Sequence, residues 1–258
     1  AWKSFDRGPL WSQESDKWRF NKACESFDLL RVFYPKNKFD ACGPEGWFTP
    51  TPYGTIDLLP IEAPIEVMSK YKAMIFLGWN TFNESDFIHI RDYVFNGGTV
   101  LLSAAHINSE LEPDKPVKFP ENDNVIREML GDDYRNMKGK NVIDYGNGKI
   151  IYFASTSYPA EKNILNEYES EMHKLGRRYA NEEYYAGWIK DSDNVGFTVW
   201  DSNDRRTILL LNTDWKSDTI VHDAELVYGS ALFTVPVRRY NIETLHVAHG
   251  IVVHGLSN

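Results

Sequence analysis

Cysteine is nearly absent from this 258-residue chain: Cys24 and Cys42 are the two it has, 18 residues apart. Two thiols cannot build a disulfide framework, and their spacing matches no zinc-ligand pattern. Two free thiols and one bridge tying down the N-terminal arm both stay open, and with them the compartment. Basic residues are scarce too, with 28 Lys and Arg against 37 Asp and Glu and a net charge of −9. A nucleic-acid surface needs clustered cations. Arg177-Arg178, Arg205-Arg206 and Arg238-Arg239 are lone pairs that read as solvated faces, so no nucleic-acid partner is expected.

Long apolar runs are also missing. Ala73 to Leu77 and Ile208 to Leu211 fall far short of the roughly 20 residues that span a bilayer, so no membrane segment or membrane partner is expected. No signal-peptide h-region opens the chain, and residue 1 is Ala rather than Met, the start expected of a processed or excised segment. Glycines at fixed offsets, which phosphate cradles and dinucleotide folds require, are lacking: Gly78-Trp79-Asn80 supplies one. No cofactor is expected.

What is present is the material of a globular protein, with 42% hydrophobic and 25% charged residues. Aromatics reach 14%, including 8 Trp, and several sit in Gly/Pro-rich stretches such as Gly46-Trp47-Phe48-Thr49-Pro50. Rings beside amides and carboxylates suit sugar faces, because the CH surface of a pyranose packs on a ring while its hydroxyls need polar partners.

The best-specified segment is a βαβ unit. Tyr71 to Asn80 reads as a buried strand running into a turn, and Thr99 to Ser103 as a second strand ending at Ala104-Ala105-His106. Between them the spacing predicts an amphipathic helix over Glu84 to Phe95. Asn83 caps its free amides, Glu84 and Asp86 favour its positive end, Gly97 supplies the left-handed exit, and Phe87, Ile90 and Val94 form the apolar stripe. Upstream, residues 1–54 form an aromatic-rich arm with one helix over Trp18 to Tyr34 and a loop from Pro35 to Tyr53. Thr55 to Leu59 then reads as a short strand closed by Pro60, and Pro64 as the N1 residue of a helical turn. Downstream come a long loop from Asn108 to Asn124, a short helix over Asn124 to Leu130 and a hairpin around Gly146-Asn147-Gly148. A helix from Pro159 to Glu183 closes an α/β domain, residues 55–183, with a mostly parallel sheet.

From Tyr184 the period changes from helical to alternating. Strands are expected over Val195–Trp200, Arg206–Asn212, Ile220–Leu226, Ala231–Val235 and Thr244–His249, which at near-regular spacing make a small antiparallel β-sandwich, residues 184–258.

In open α/β sheets, ligands and chemistry gather at the carboxyl ends of strands. There the sequence offers Trp79, Asn80, His106 and Asn108. A histidine at such a place either acts as acid or base, or bonds a sugar hydroxyl, or hydrogen-bonds a loop carbonyl and does nothing further. Trp79 is either a sugar platform or a core lid, and Trp47 is a second candidate sugar contact. Nucleophilic catalysis lacks its parts: neither cysteine follows a parallel strand, and Ser103 lacks the flanking glycines of an elbow. For metals, His246, His249 and His254 share no tight ligand spacing, though the even separation of His246 and His254 would set them on one strand face. Surface-strand histidines are the plainer account, and no metal is expected. Asp57, Glu62 and Glu66 read as solvated carboxylates.

The stretch Tyr53-Gly54-Thr55-Ile56-Asp57-Leu58-Leu59-Pro60, the segment from Tyr71 to His106 and Gly148-Lys149-Ile150-Ile151-Tyr152-Phe153 together resemble the class I glutamine amidotransferase-like domain found inside large bacterial glycoside hydrolases. Family 42 β-galactosidases and the β-galactosyl phosphorylases are examples. Leu210-Leu211-Asn212-Thr213-Asp214-Trp215 is similar to a strand and turn of the small β-sandwich that closes such chains. The resemblance covers residues 50–258. It implies a flavodoxin-like three-layer α/β domain followed by the sandwich, serving assembly next to a catalytic (β/α)₈ barrel of the same polypeptide or of a neighbouring subunit, and it implies a homo-oligomer. Ala104 or Ala105 stands where an amidotransferase carries its cysteine, so amidotransferase chemistry is excluded and no catalytic residue is assigned. The expected role is that of a non-catalytic part of a carbohydrate-active enzyme with oligosaccharide contacts. The alternatives are a self-standing hydrolase using His106 and a carbohydrate-binding module.

Overall fold

The computed structural model describes residues 29–33, 51–54, 56–78, 80–111, 115–181, 187–190, 194–202, 205–212, 220–228, 231–239, 241–248 and 251–255. The chain divides into two compact units, Ala1–Leu29 with Leu59–Met172, and Leu30–Leu58 with His173–Asn258. Of the helix expected over Trp18 to Tyr34, Leu29–Val32 is described, as a 3₁₀ turn. Cys24, Cys42, Trp47, Trp79 and His249 lie outside the described residues.

The first unit is α/β. Its helices are α1 (Ile65–Met68), α2 (Glu84–Phe95), α3 (Asn124–Leu130) and α4 (Leu165–Asn181), the last running on into the second unit. Its strands β1 (Ala73–Ile75), β2 (Thr99–Ser103), β3 (Lys140–Tyr145) and β4 (Gly148–Phe153) form one sheet in the order β1-β2-β4-β3. β1 and β4 run parallel to β2, with Ala73 opposite Thr99 and Thr99 opposite Lys149, while β3 returns antiparallel to β4. The helix α2 has the bounds its caps dictate: the Asn83 side chain accepts from the Ser85 amide at 3.1 Å, and Gly97 leaves at φ 112°.

Every residue of β2 is buried, which requires cover on both faces. Val100 and Leu102 join Ile150 and Tyr152 of β4, Phe87, Ile90 and Val94 of α2, and Val125, Ile126 and Met129 of α3 in one core. The opposite phase meets α4. The Tyr168 hydroxyl donates toward the carbonyls of Phe76 (2.6 Å) and Leu101 (3.0 Å), and the Tyr168 ring lies 5.1 Å from that of Phe153. Helix, sheet and helix thus make three layers. At the hairpin, Gly148 touches the end of α2 so closely that a Cβ there would stand 2.1 Å from the Val94 carbonyl oxygen.

Several expectations are corrected. No strand forms at Ile56 to Leu59: the segment adds no ladder to a sheet, and Leu58 stays 49% exposed. β1 is three residues long and half-buried rather than a long buried strand, because it is the sheet edge, although the Phe76 amide continues the ladder to the Leu101 carbonyl. Pro64 is the N-cap of α1, at ψ 146°, one position before N1. The last helix starts at Leu165, after tight turns over Pro159 to Ile164.

The second unit holds two antiparallel sheets. One orders β11 (Ile251–Gly255), β10 (Ile242–Ala248), β7 (Arg205–Asn212) and β6 (Val195–Ser202), and the other β5 (Gly187–Lys190), β8 (Val221–Tyr228) and β9 (Ala231–Arg238). Val195, Phe197, Ile208, Leu210, Leu245 and Val247 of the first share a core with Ala224, Leu226, Val235 and Val237 of the second, which makes the pair a β-sandwich. Sequence periodicity missed β5 and β11, both short. It also stopped β9 before Pro236, which an edge strand tolerates. Buried Asn212 donates its amide to the Val237 carbonyl at 3.1 Å and so ties β7 to β9 across the sandwich. The expectation that His246 and His254 share a face is also corrected. β10 and β11 pair antiparallel with His246 opposite Val253 and Leu245 opposite His254, so the register puts the two histidine positions out of phase.

Candidate functional site

The candidate site is the carboxyl end of β2. The chain leaves the strand at Ser103 and turns once in 3₁₀ form through Ala104-Ala105-His106. Ser103 caps that turn and His106 completes a capping box: the Ser103 amide donates to His106 Nδ1 at 2.9 Å, in the place a Glu or Gln usually takes, while the Ser103 hydroxyl receives the turn's backbone. With Nδ1 accepting, the proton sits on Nε2, which has no hydrogen-bond partner of good geometry among the described residues.

The imidazole is fully buried between aromatic rings, 5.2 Å from Phe76 and 5.7 Å from Tyr158. Burial pushes its pKa down from 6.5 to about 3, against the pull of the Ser103 and Gly78 backbone. His106 is therefore neutral throughout the range in which a histidine base would work. Tyr158 shares the environment: burial pushes its phenol up to about 12, against the opposing influence of the neighbouring Asn108 side chain.

The two amides are engaged by the backbone. Asn80 donates to the His106 carbonyl at 3.1 Å. Asn108, 1% exposed, accepts from the amides of Glu110 (3.0 Å) and Lys118 (2.9 Å), closing the neck of the long loop. The structure thus brings Asn80, His106 and Asn108 together, as strand-end residues should be, with both amides and His106 Nδ1 bonded to backbone. Ala104 and Ala105, which open the turn after β2, are 3% and 0% exposed.

The far side of that loop is pinned by a cluster that sequence reasoning missed. Asp123 accepts from Arg127 Nε (2.7 Å), the Tyr134 hydroxyl (3.0 Å) and Arg135, whose guanidinium also lies over the Phe119 ring at 5.4 Å. Burial pushes the Asp123 carboxyl up, but these donors outweigh it and hold the group below the usual carboxylate range. The i, i+4 spacing of Asp123 and Arg127 was the available signal. Among the described residues, no three His, Cys, Asp or Glu side chains gather as a metal site, and no helix is long and apolar enough to cross a membrane.

The fold therefore defines a class: a mixed α/β unit with a mostly parallel four-stranded sheet, accompanied by small antiparallel sheets. No family model matches the chain, and no curated protein sequence does. Its similarity is to part of the GH42 glycoside hydrolases. A β-galactosidase from Bacillus circulans sp. alkalophilus matches 89% of this chain and 37% of its own at 13% identity, with a TM-score of 0.45. One from Rahnella sp. R3 matches 75% and 34% at 11% identity, TM-score 0.47. A catalytic mutant of a GH42 β-galactosidase from G. stearothermophilus matches 70% and 32% at 12% identity, TM-score 0.42. The chain spans about a third of the length of these proteins.

Proposed function

We propose that this chain is a non-catalytic, C-terminal part of a carbohydrate-active enzyme, a glycoside hydrolase or phosphorylase, that serves domain or subunit assembly. The observation that carries the non-catalytic half is the closed end of β2. Two buried alanines and a neutral, fully buried histidine occupy the place where this architecture would present a reactive side chain. A general base must reach the proton it removes, and a nucleophile must reach its carbon. His106, sealed between Phe76 and Tyr158, does neither. Ser103 is likewise 0% exposed, with its backbone and hydroxyl held in the capping box.

The carbohydrate half rests on the sequence resemblance, which takes in the Leu210-Leu211-Asn212 strand; in the fold Asn212 ties the two sheets together. In this reading residues 55–183 and 184–258 are the scaffold domains, residues 1–54 the arm that meets a catalytic barrel, and the assembly is a homo-oligomer. Two measurements test it. The encoding gene is read upstream of Ala1, where several hundred codons with a strand–helix barrel pattern are expected; a start codon directly before Ala1 refutes the reading. The purified chain is assayed on aryl glycosides and on glutamine, and turnover of either refutes the non-catalytic assignment.

A further inference from the structure

Alternation along β6, β7 and β10 sends Phe197, Leu210 and Leu245 into the sandwich core and leaves the intervening residues on the outward face of the sheet. Register arranges that face in rows. Trp200 of β6 stands opposite Thr207 of β7, which stands opposite His246 of β10; in the next row Thr198, Leu209 and Thr244 are aligned in the same way. Trp200 is 67% exposed, and Thr207 and His246 are half-buried, with Thr207 Oγ1 and His246 Nδ1 3.2 Å apart.

A single exposed indole needs no explanation. Its surroundings do. Charged residues make up 25% of the chain, yet the outward positions from Thr198 to Trp200, from Thr207 to Leu211 and from Ile242 to His246 hold none, and Arg205, paired with Ser202 one row beyond Trp200, is a lone cation at the border of that area. A nucleic acid would need cations there. An interfacial membrane face would need a wide apolar surface flanked by basic residues, whereas Thr198, Thr207, Thr244 and His246 interrupt the apolar positions. What fits an uncharged face with one aromatic platform and a row of hydroxyl and imidazole groups is a neutral polyhydroxyl ligand.

We propose that this face binds a neutral oligosaccharide, one ring stacked by its CH surface on the Trp200 indole and its hydroxyls bonded to Thr207 and His246. Two strand spacings, about 10 Å, separate Trp200 from His246, so the chain of sugars lies across the strands. In the tautomer whose Nδ1 accepts from the Thr207 hydroxyl, His246 offers Nε2–H as a donor, and in either tautomer the Thr207 oxygen keeps a lone pair for the ligand. The site rests on the carbohydrate reading and gives it a place in the fold. Every residue in it belongs to the second unit, so its test is separate from the upstream gene and from the closed end of β2.

The full 258-residue chain is titrated calorimetrically with galactotetraose, xylotetraose and cellotetraose. Saturable binding of at least one is expected. Trp200→Ala should weaken it about tenfold or more, the effect of uncovering one ring face of apolar surface, while Trp200→Tyr keeps most of the affinity and Thr207→Val loses part of it. Because Trp200 is exposed, the melting curve should not move. A second readout stands without the alanine variant: the Trp200 indole N–H resonance, assigned by its disappearance in Trp200→Phe, must shift with the bound sugar. No saturable binding of any of the three, equal affinity in Trp200→Ala, or an unmoved indole resonance overturns the proposal.

Discussion

The burial of His106 has a consequence for acid stability. Its imidazole is held neutral, with a folded pKa of about 3 against 6.5 when unfolded. The unfolded chain therefore binds a proton that the folded one refuses. The stability this residue allows is complete above 6.5 and is lost as pH falls from there toward the folded value. From the two pKa values the loss is about 2 kcal/mol by pH 5 and about 3 kcal/mol by pH 4. His106→Gln isolates the effect, since a glutamine at the third position of a capping box can still accept from the Ser103 amide and has nothing to titrate. The variant gives up the ring contacts with Phe76 and Tyr158, and about 1–2 kcal/mol at pH 7 is the expected cost. Urea unfolding of both proteins at pH 7, 5 and 4 gives the difference directly: the gap should close and then reverse toward low pH. Parallel pH dependences would refute the argument, as would an imidazole resonance of His106 titrating near 6.5. Either result would reopen the end of β2 as a place for acid–base chemistry.

The other predictions concern what holds that strand end in place. Gly148→Ala should cost about 3 kcal/mol or more and lower the melting temperature sharply, because its Cβ would meet backbone oxygens of Val94 and Gly98 at 2.1 and 2.3 Å. Tyr168→Phe removes the donor to the Phe76 and Leu101 carbonyls and should cost about 1–2 kcal/mol in urea unfolding, with faster amide exchange at the end of β1. Asp123→Asn should cost about 2 kcal/mol at neutral pH, where the carboxylate accepts from Arg127, Tyr134 and Arg135. Since its folded pKa is lowered, that contribution is present above the unfolded carboxylate value of about 4 and fades as pH falls through the folded one, so parent and variant should converge in strong acid.

Much of the α/β unit was legible in the residues because the information is local. Asn83, Glu84 and Gly97 mark the ends of α2 within a turn of where they act, Phe87, Ile90 and Val94 mark its face, and Gly146-Asn147-Gly148 marks the hairpin. The strand-end cluster was legible too, since topology alone places Asn80, His106 and Asn108 near one another. The use of their polar atoms was less so. The pattern Ser103-Ala104-Ala105-His106 is a capping box with histidine in the acceptor position, a signal that was present but is rarely read with that residue.

What the chain determined by itself, then, is the identity of its main elements, the alternation that builds the sandwich, and the alanines at the end of β2, since each depends on neighbours a few positions away. Tertiary structure alone decided whether that end is open or sealed, for the seal is made by Phe76, His106 and Tyr158 meeting across separate segments, and the Tyr168 bond to the Phe76 carbonyl joins residues 92 positions apart. It also decided that β1 is an edge and that β10 and β11 pair with His246 against Val253. Burial and register are properties of contacts between distant segments, and a one-residue change in pairing turns every side chain to the other face.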